Sequence, residues 1–458
     1  MRTTILKIFT TLAIGFVFYQ PMQISAQSSK GNWVSLFDGK SLKGWKKLGG
    51  NAPYTIEQGA IVGTMTRGTP NSFLVTEKEY GDFILEVDIK LEGNETNSGV
   101  QTRSQYDAEK KRVFGRQVEV DPTARAWTGG IYDEARRGWL YPLDLNEAAK
   151  SAYKANDFNK IRIEAIGDEL RTWVNNIPVS YVIDTLDKSG FIGLQVHSIP
   201  EKLDGKKVYF KNIRIQTKNL KPQSFSKDVF IVNLKPNALS LAEKTSGFSL
   251  LFDGNKADQW RSVRGNSFPE KGWRVGKGEM TVLKSDGGES TNGGDIITRD
   301  QYSVFDLSFE FKLSAGANSG VKYFVTLKEK TQGSAIGLEY QILDDKLHPD
   351  AKMGRDGNRT LASLYDLITS NKDSRARRPI GEWNRGRIVV SADNTVTHYL
   401  NGIKVVQYKR GSQDFRDLVA KSKYKDWERF GEAVEGHILL QDHGDHVSFR
   451  NIKIKKLK

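Results

Sequence analysis

Apolar residues recur at every second position in several stretches of the chain. The clearest examples are Asp82–Leu91 and Phe305–Leu313. This alternation predicts half-buried strands, because successive side chains of a strand point to opposite faces of a sheet. Turns rich in Gly, Asn and Asp separate many short strands of this kind, whereas helical periodicity is confined to Leu145–Lys154 and Asp414–Ser422. The pattern predicts an all-β protein, either a sandwich or a barrel.

One ordered set of short motifs occurs twice. Each copy opens with Leu-Phe-Asp-Gly, carries Asn-Ser-Gly-Val after its alternating strand, and closes on a hairpin with Leu-Gln-x-His and Phe-x-Asn-Ile. The motifs lie at Leu36–Gly39, Asn97–Val100 and Gly193–Ile215, and again at Leu251–Gly254, Asn318–Val321 and Gly436–Lys456. A repeat of this length indicates duplicated domains. We predict domains at 33–217 and 247–457, joined by a loosely packed linker at 218–246.

The N-terminal segment 1–26 differs from the rest of the chain. Arg2 and Lys7 flank the hydrophobic stretch Leu12–Tyr19, and Ile24-Ser-Ala26 precedes Gln27. This arrangement predicts a secretory signal peptide, and therefore a periplasmic or secreted protein. Another long apolar run is absent from the sequence, so a membrane-spanning protein is not expected.

The formal net charge is +14, and the sequence contains no cysteine, which excludes disulfides. The basic residues are scattered, and no recognisable nucleic-acid motif accompanies them, so a nucleic-acid partner is not predicted. We interpret the charge as a solvated surface, attracted to anionic glycans or to the cell envelope.

The ordered motifs, together with Ile-Tyr-Asp at 131–133 and Leu-Tyr-Asp at 364–366, resemble those of the 3-keto-disaccharide hydrolase family. Its members are also described as 3-keto-glucoside 1,2-lyases and 3-keto-2-hydroxy-glucal hydratases. The resemblance covers nearly the whole chain after the signal segment, twice. It implies two tandem concanavalin A-like β-sandwich (jelly-roll) domains and a small carbohydrate substrate. It also implies a separate glycoside 3-oxidoreductase that supplies the keto sugar.

The family reaction defines the groups that such a site needs. A ketone at C3 acidifies the C2–H bond, so a base can remove this proton, the C1 substituent leaves, and water then adds to the glucal. The site needs a general base whose pKa lies near the working pH, and a cation or hydrogen-bond donors at the developing oxyanion. It does not need two opposed carboxylates, and no organic cofactor is expected.

The second copy offers the larger number of candidate groups. Glu339 and Gln341 are two residues apart on one predicted strand and point to the same face. We predict Glu339 and His443 as catalytic residues, and a divalent metal ion held by Glu339, Asp344, His348 and His443. The alternative is that Glu339 and Gln341 are hydrogen-bonded on a polar face and that Asp344 caps a turn.

In the first copy Gln117 and Glu119 occupy the equivalent places in exchanged order. Glu119 and His197 are the predicted catalytic residues, and nothing in this copy clearly matches His348. The sequence leaves open which copy is active, or whether the two divide the lyase and hydratase steps. The density of ionisable groups slightly favours the second.

Amide, guanidinium and phenol groups near these positions are predicted to bind substrate. They are Asn97, Arg103, Gln117 and Tyr132 in the first copy, and Asn318, Gln341, Arg359, Tyr365 and Gln441 in the second. The alternatives are turn asparagines, surface arginines and core tyrosines. His398 and His437 are predicted to be structural.

Two other classes of function remain open at this point. Sandwich folds also serve lectins, so the protein could be a non-catalytic carbohydrate-binding protein. It could also be a conventional glycoside hydrolase that acts on unoxidised sugars.

Overall fold

The computed structural model describes residues 32–285, 288–328 and 335–458. The predicted signal peptide, residues 1–26, lies outside the described residues. The strands up to the end of the linker are β1 Trp33–Ser35, β2 Trp45–Gly49, β3 Tyr54–Glu57, β4 Ala60–Thr64, β5 Ser72–Thr76, β6 Phe83–Leu91, β7 Ser98–Asp107, β8 Arg112–Val120, β9 Ile131–Glu134, β10 Gly138–Tyr141, β11 Asn159–Ile166, β12 Glu169–Val174, β13 Ile177–Ile183, β14 Phe191–Val196, β15 Lys207–Gln216 and β16 Ile231–Asn233.

The second half continues the same kind of structure. Its strands are β17 Phe248–Leu250, β18 Trp260–Ser262, β19 Trp273–Gly276, β20 Glu279–Val282, β21 Ile296–Thr298, β22 Phe305–Leu313, β23 Asn318–Val325, β24 Leu338–Leu343, β25 Asn384–Val390, β26 Thr395–Leu400, β27 Ile403–Lys409, β28 His437–Leu440 and β29 Val447–Lys456. The helices are α1 Leu241–Ser246 and α2 Gln413–Ala420, with 3₁₀ turns at Leu143–Leu145, Glu147–Ser151, Glu201–Leu203 and Pro349–Lys352.

Each half consists of two sheets, mainly antiparallel, packed face to face. In the first half the strand orders are β16-β13-β12-β11-β6-β15-β4-β3, with β1 beside β15, and β10-β9-β8-β7-β14-β5-β2. In the second half they are β19-β20-β29-β22-β25-β26-β27, with β17 beside β29, and β18-β21-β28-β23-β24. The predicted fold, two tandem concanavalin A-like β-sandwich (jelly-roll) domains, is confirmed.

The two alternating stretches form β6 and β22, as predicted. Their apolar faces pack into the core, but their polar faces are also largely covered. Glu86 of β6 makes ion pairs with Arg162 and Arg214, and Asp306 of β22 makes one with Arg387. The arginine stems lie over the sheet face, so these strands are more deeply buried than the alternation alone suggests.

The helix prediction is correct in one of two places. Asp414–Ser422 corresponds to α2, whereas Leu145–Lys154 forms only 3₁₀ turns, where the chain contacts β27 of the second half. Helix α1 was not predicted, although its Ser240 and Glu243 form a capping box that the sequence displays. Within the described ranges, no helix has both the length and the apolar character needed to cross a membrane.

The linker is not loosely packed, contrary to the prediction from its composition. β16 adds a parallel strand to β13 of the first half. From the same segment, the Phe230 ring lies 3.9 Å from the guanidinium carbon of Arg387 in the second half. Glu243 forms a buried ion pair with Lys453 of β29. The apolar core is continuous across both halves, so segment 218–246 joins them as a structural element.

Candidate active sites

A large cavity lies in each half, on the sheet that carries Asn-Ser-Gly. The first has a volume of about 660 Å³ and is lined from β8, β9, β10 and β14 and from several loops, one of them in the second half. The second, of about 720 Å³, is lined from β23, β24 and the residues that follow β28. Volumes in this range are typical of small-molecule sites. The duplicated fold thus places two sites of sugar size in equivalent positions.

The strand register relates the polar residues of the two cavities. In the first half Gly99 lies opposite Glu119. In the second half Gly320, the equivalent glycine, lies opposite Gln341, and Lys322 lies opposite Glu339. The carboxylate and the amide therefore exchange places between the copies, as the sequence suggests.

A steric constraint explains why the third residue of Asn-Ser-Gly is glycine in both halves. A Cβ atom at Gly320 would lie within 3.0 Å of three atoms of the Glu339 side chain. A Cβ at Gly99 would meet the Gln117 side chain in the same way. The missing side chain allows the residue on the neighbouring strand to lie across the sheet at the cavity floor.

Four side-chain amides at equivalent positions line the cavities with unsatisfied hydrogen-bonding atoms. Among the described residues, the Oδ1 atoms of Asn97 and Asn318 and the Oε1 atom of Gln441 are buried without a partner. In Gln195, neither the oxygen nor the nitrogen of the amide has a partner. Buried polar groups are normally hydrogen-bonded, so these atoms indicate a ligand with hydroxyl groups.

One glutamate in each cavity is buried and has a pKa close to neutrality. Glu119 is 4% exposed, and burial raises its pKa to about 7 against the opposing effect of hydrogen bonds from Gln117 and Asn97. Glu339 is 5% exposed, and burial likewise raises its pKa to about 7. A carboxylate with such a pKa can act as a general base at neutral pH.

The second cavity also contains two lysines. The Lys322 ammonium is buried, 3.8 Å from Asp295 and 3.9 Å from Glu289. Burial disfavours its charge, but Asp295, Glu339 and Glu289 outweigh this effect and raise its pKa. Burial lowers the pKa of Lys423. Cationic donors thus face the carboxylate of Glu339.

The prediction from sequence missed several residues that line the second cavity: Glu289, Lys322, Lys423, Tyr424 and Trp427. A signal existed for Lys322, because the two-residue period that starts at Asn318 places it on the cavity face. Nothing local marks the others, since they come from loops that are distant in sequence.

His348, His443 and Asp445 form a cluster suited to a metal ion. One potential ligand atom from each lies within 4.8 Å of the others. The backbone N–H of Asp350 donates to His348 Nδ1 at 3.2 Å, which caps the 3₁₀ turn Pro349–Lys352. The backbone N–H of Asn318 donates to Asp445 at 3.0 Å. Two imidazoles and a carboxylate fit a divalent transition metal, and His443 also lines the second cavity.

The cluster revises the predicted ligand set. His348 and His443 belong to it, but Asp445 takes the third place instead of Glu339 and Asp344. The Asp344 carboxylate accepts hydrogen bonds from the backbone of Gly316 and Lys346 at 2.9 and 3.0 Å, so it stabilises a turn.

Two predicted substrate-binding arginines lie outside the cavities. Arg103 is 1% exposed, and its guanidinium donates to the backbone oxygens of Gly81, Ala165 and Gly167. Arg359 makes ion pairs with Asp350 and Asp366. In this structure both guanidinium groups are engaged in holding loops and strand ends together, away from the predicted sugar sites.

The remaining predicted residues divide between cavity and core. Tyr132 and His197 line the first cavity, and Tyr365 lines the second. Burial lowers the pKa of His197, which favours a neutral imidazole. His398 contacts the Tyr323 hydroxyl at 2.8 Å in the core, and His437 bonds to a backbone oxygen, so both are structural, as predicted.

Comparisons with known proteins agree with the duplicated architecture. The profile of the 3-keto-α-glucoside-1,2-lyase-like domain matches residues 32–216 and 247–455. A 3-keto-disaccharide hydrolase of Bacteroides thetaiotaomicron is 36% identical over 263 residues, which cover 53% of this chain and 89% of the relative. A crystal structure described as a candidate glycosyl hydrolase from Parabacteroides distasonis is 30% identical, covering 49% of this chain and 100% of that one, with a TM-score of 0.43.

The fold and the cavities define a duplicated β-sandwich protein with a sugar-sized site in each half. The chain belongs to the 3-keto-α-glucoside-1,2-lyase-like family, with one domain of that family in each half.

Proposed function

We propose that the protein is a hydrolase-type enzyme that cleaves 3-keto-glycosides, including 3-keto-disaccharides. Family membership and the similarity to the Bacteroides hydrolase support this class of substrate. One observation carries the proposal. The buried Glu339, with a pKa of about 7, shares a cavity with the cationic Lys322 and with unpartnered amide oxygens.

The proposed reaction begins with Glu339, which as a carboxylate accepts the proton from C2 of the keto sugar. The electron pair of the C2–H bond becomes the double bond of an enediolate, with the negative charge on the former ketone oxygen. The enediolate then returns to the ketone and expels the C1 substituent, whose oxygen takes a proton equivalent to the one that Glu339 removed. Glu339 is again a carboxylate, and a 3-keto-2-hydroxy-glucal remains. Addition of water to this glucal completes a net hydrolysis.

Lys322 is the proposed electrostatic partner of this step. Its charge is kept by the surrounding carboxylates, and it is buried, so it acts in a medium of low dielectric constant. A fixed cation of this kind stabilises an enediolate more than the neutral ketone, which lowers the barrier. Asn318 and Gln441 are proposed to orient the sugar through their unpartnered oxygens.

A divalent metal ion held by His348, His443 and Asp445 would add Lewis-acid stabilisation of an oxyanion. Burial and the nearby His443 lower the pKa of His348, which keeps its imidazole in the neutral form that binds metals. His443 connects the cluster to the cavity wall.

The second half is the proposed site of elimination. Within the described ranges, the three-residue metal cluster is confined to it. The first half has Glu119 and His197 as a smaller set, which could serve the hydration step. The enzyme is further proposed to be periplasmic or secreted, on the pattern of residues 1–26, and to receive its substrate from a separate glycoside 3-oxidoreductase.

The direct test is whether cleavage requires a sugar that is oxidised at C3. The purified protein is incubated with a 3-keto-glucoside and with its unoxidised parent, and aglycone release is followed. Release from the keto sugar alone is expected. Release from both sugars would make this a conventional glycoside hydrolase, and binding without release would make it a lectin-like protein.

The metal proposal predicts that EDTA lowers the rate of aglycone release and that a divalent cation restores it. His443→Ala should remove most of this cation response, because it deletes one of the three ligands. His446→Ala is the matched control, since His446 lies in the same turn but is exposed and outside the cluster. An unchanged rate in EDTA would remove the metal from the mechanism while keeping the base.

A further inference from the structure

The first cavity has a wall that the second lacks. Seven arginines line it: Arg112, Arg125, Arg136, Arg137, Arg375, Arg377 and Arg378. The second cavity is lined by lysines and contains no arginine among its described lining residues. The two sites share their amide and carboxylate positions but differ strongly in charge.

Three of these arginines come from the other half of the chain. Arg375, Arg377 and Arg378 belong to the segment between the 3₁₀ turn Pro349–Lys352 and β25 of the second half, and they close one side of the first cavity. Arg378 donates a hydrogen bond to the backbone oxygen of Trp139 at 3.0 Å. The complete first cavity therefore exists only because the two halves pack together.

Several of the arginines already have carboxylate partners. Arg136 and Arg137 share Asp133, and Arg125 pairs with Asp121 at 2.7 Å. These pairs build the wall and neutralise much of its charge.

The other four guanidinium groups of the cavity have fewer carboxylate partners. Arg375 pairs with Asp373, which leaves three of the seven. Among the described residues, Arg112, Arg377 and Arg378 have no carboxylate within 4.0 Å. The carboxylates that line the cavity are Glu119 and Glu134, and burial raises the pKa of both, which weakens their negative charge. The cavity lining thus carries an excess of positive charge, with seven arginines against two glutamates.

The same cavity keeps the features of a sugar site. Gln195 is fully buried, and both polar atoms of its amide lack a partner in the described structure. The rings of Tyr132 and Trp139 lie edge to face at a centroid distance of 5.3 Å and border the cavity. Hydrogen-bonding amides, an aromatic border and unpaired guanidinium groups together match a charged carbohydrate.

We propose that the first cavity binds a sugar with an anionic substituent, a carboxylate or a sulfate ester, which Arg112, Arg377 and Arg378 contact. The proposal rests on the proposed function only for the carbohydrate class of the ligand. Guanidinium groups bind both oxyanions with paired, charge-assisted hydrogen bonds. The two sites of the chain then differ in the sugars that they accommodate, because the first also accepts a unit with an anionic substituent.

The test is calorimetric binding of glucose, glucuronic acid and glucose 6-sulfate to the full chain at low ionic strength. Either or both acidic sugars should bind at least about tenfold more tightly than glucose, as expected for a charge-assisted hydrogen bond. Added salt should weaken this preference. The comparison between carboxylate and sulfate identifies which oxyanion the cavity prefers.

The double variant R377Q/R378Q should remove the preference for acidic sugars, and the single variant R377Q should lower it. Arg377 is exposed, so the single change leaves the fold intact. Arg274→Gln, an exposed strand arginine of the second half, is the control and should bind like the unmodified chain. Equal binding of all three sugars, or a preference that both variants retain, would overturn the proposal. These ligands are not oxidised at C3, so binding is independent of whether the chain cleaves keto-glycosides.

Discussion

Glu339→Gln is expected to lower aglycone release from a 3-keto-glucoside by about 10²–10⁴-fold, the usual contribution of a general base. The amide keeps the size of the side chain but cannot accept the C2 proton. Because the carboxylate must be ionised to act, the rate of the unmodified enzyme should rise with pH to a plateau, with a midpoint near the Glu339 pKa of about 7. Steady-state rates between pH 5 and 9 provide the measurement.

Glu119→Gln is the matched variant in the other half. If the second cavity performs the elimination, this change should leave the release of aglycone within about threefold, because it leaves the general base of the second cavity intact. Full activity of Glu339→Gln together with loss of activity in Glu119→Gln would assign the elimination to the first cavity.

Stability measurements separate a lost base from a misfolded protein. The pKa of Glu339 is raised from 4.5 to about 7 in the folded state, so the fold binds this proton more tightly than the unfolded chain. Its contribution favours the folded state below pH 4.5 and is lost as the pH rises through about 7. Glu339→Gln avoids this loss, so at pH 8 its urea midpoint should be no lower than that of the unmodified protein.

Lys453→Met is expected to lower the free energy of unfolding by about 3–5 kcal/mol, as in other broken buried ion pairs. The side chains of Lys453 and Glu243 are 2% and 1% exposed, so removal of the ammonium leaves a buried carboxylate without its cation. Hydrogen bonds from Ser240 and Asn233 remain but do not neutralise the charge. Urea unfolding at pH 7 measures the loss.

The pH dependence gives a second readout of the same variant. Burial alone would raise the pKa of Glu243, but Lys453, together with hydrogen bonds from Ser240 and Asn233, outweighs this effect and lowers the pKa. The pair therefore stabilises the fold above the ordinary carboxyl pKa of 4.5, and this contribution is lost as the pH falls through the depressed value. The deficit of Lys453→Met should shrink in acid.

Two further variants test whether the broken ion pair causes the loss of stability in Lys453→Met. Lys455→Met, on the same strand but more exposed, should change stability by less than about 1 kcal/mol. Glu243→Gln added to Lys453→Met should recover much of the loss, because it removes the buried charge. A Lys453→Met protein as stable as the Lys455→Met control would show that the linker contact contributes little.

Local sequence patterns predict some residues of the candidate sites and fail to predict others. Glu339, Gln341 and Asn318 were found because motif and strand period place them on one face. Arg103 was chosen by its nearness to Asn-Ser-Gly in sequence, yet a positive φ of 48° and three backbone acceptors turn it into the core. Closeness in the sequence does not predict closeness to the site once a strand contains a bulge. One extra residue reverses the sheet face to which the following side chains point.

The wall of the first cavity was hidden for a different reason. Arg377 and Arg378 lie more than two hundred residues from Glu119 in the sequence and line the same cavity only through the packing of the two halves. No periodicity within either copy reports a contact between copies.

By itself the sequence determined the all-β class, the duplication, the two carboxylate-bearing strands and the family, because alternation and motif order are local and repeated. The tertiary structure alone decided that Asp445 joins His348 and His443, that the linker is held by a buried ion pair, and that arginines of one half complete the cavity of the other. These features depend on strand register and on the contact between sandwiches, which bring together side chains that no local pattern relates.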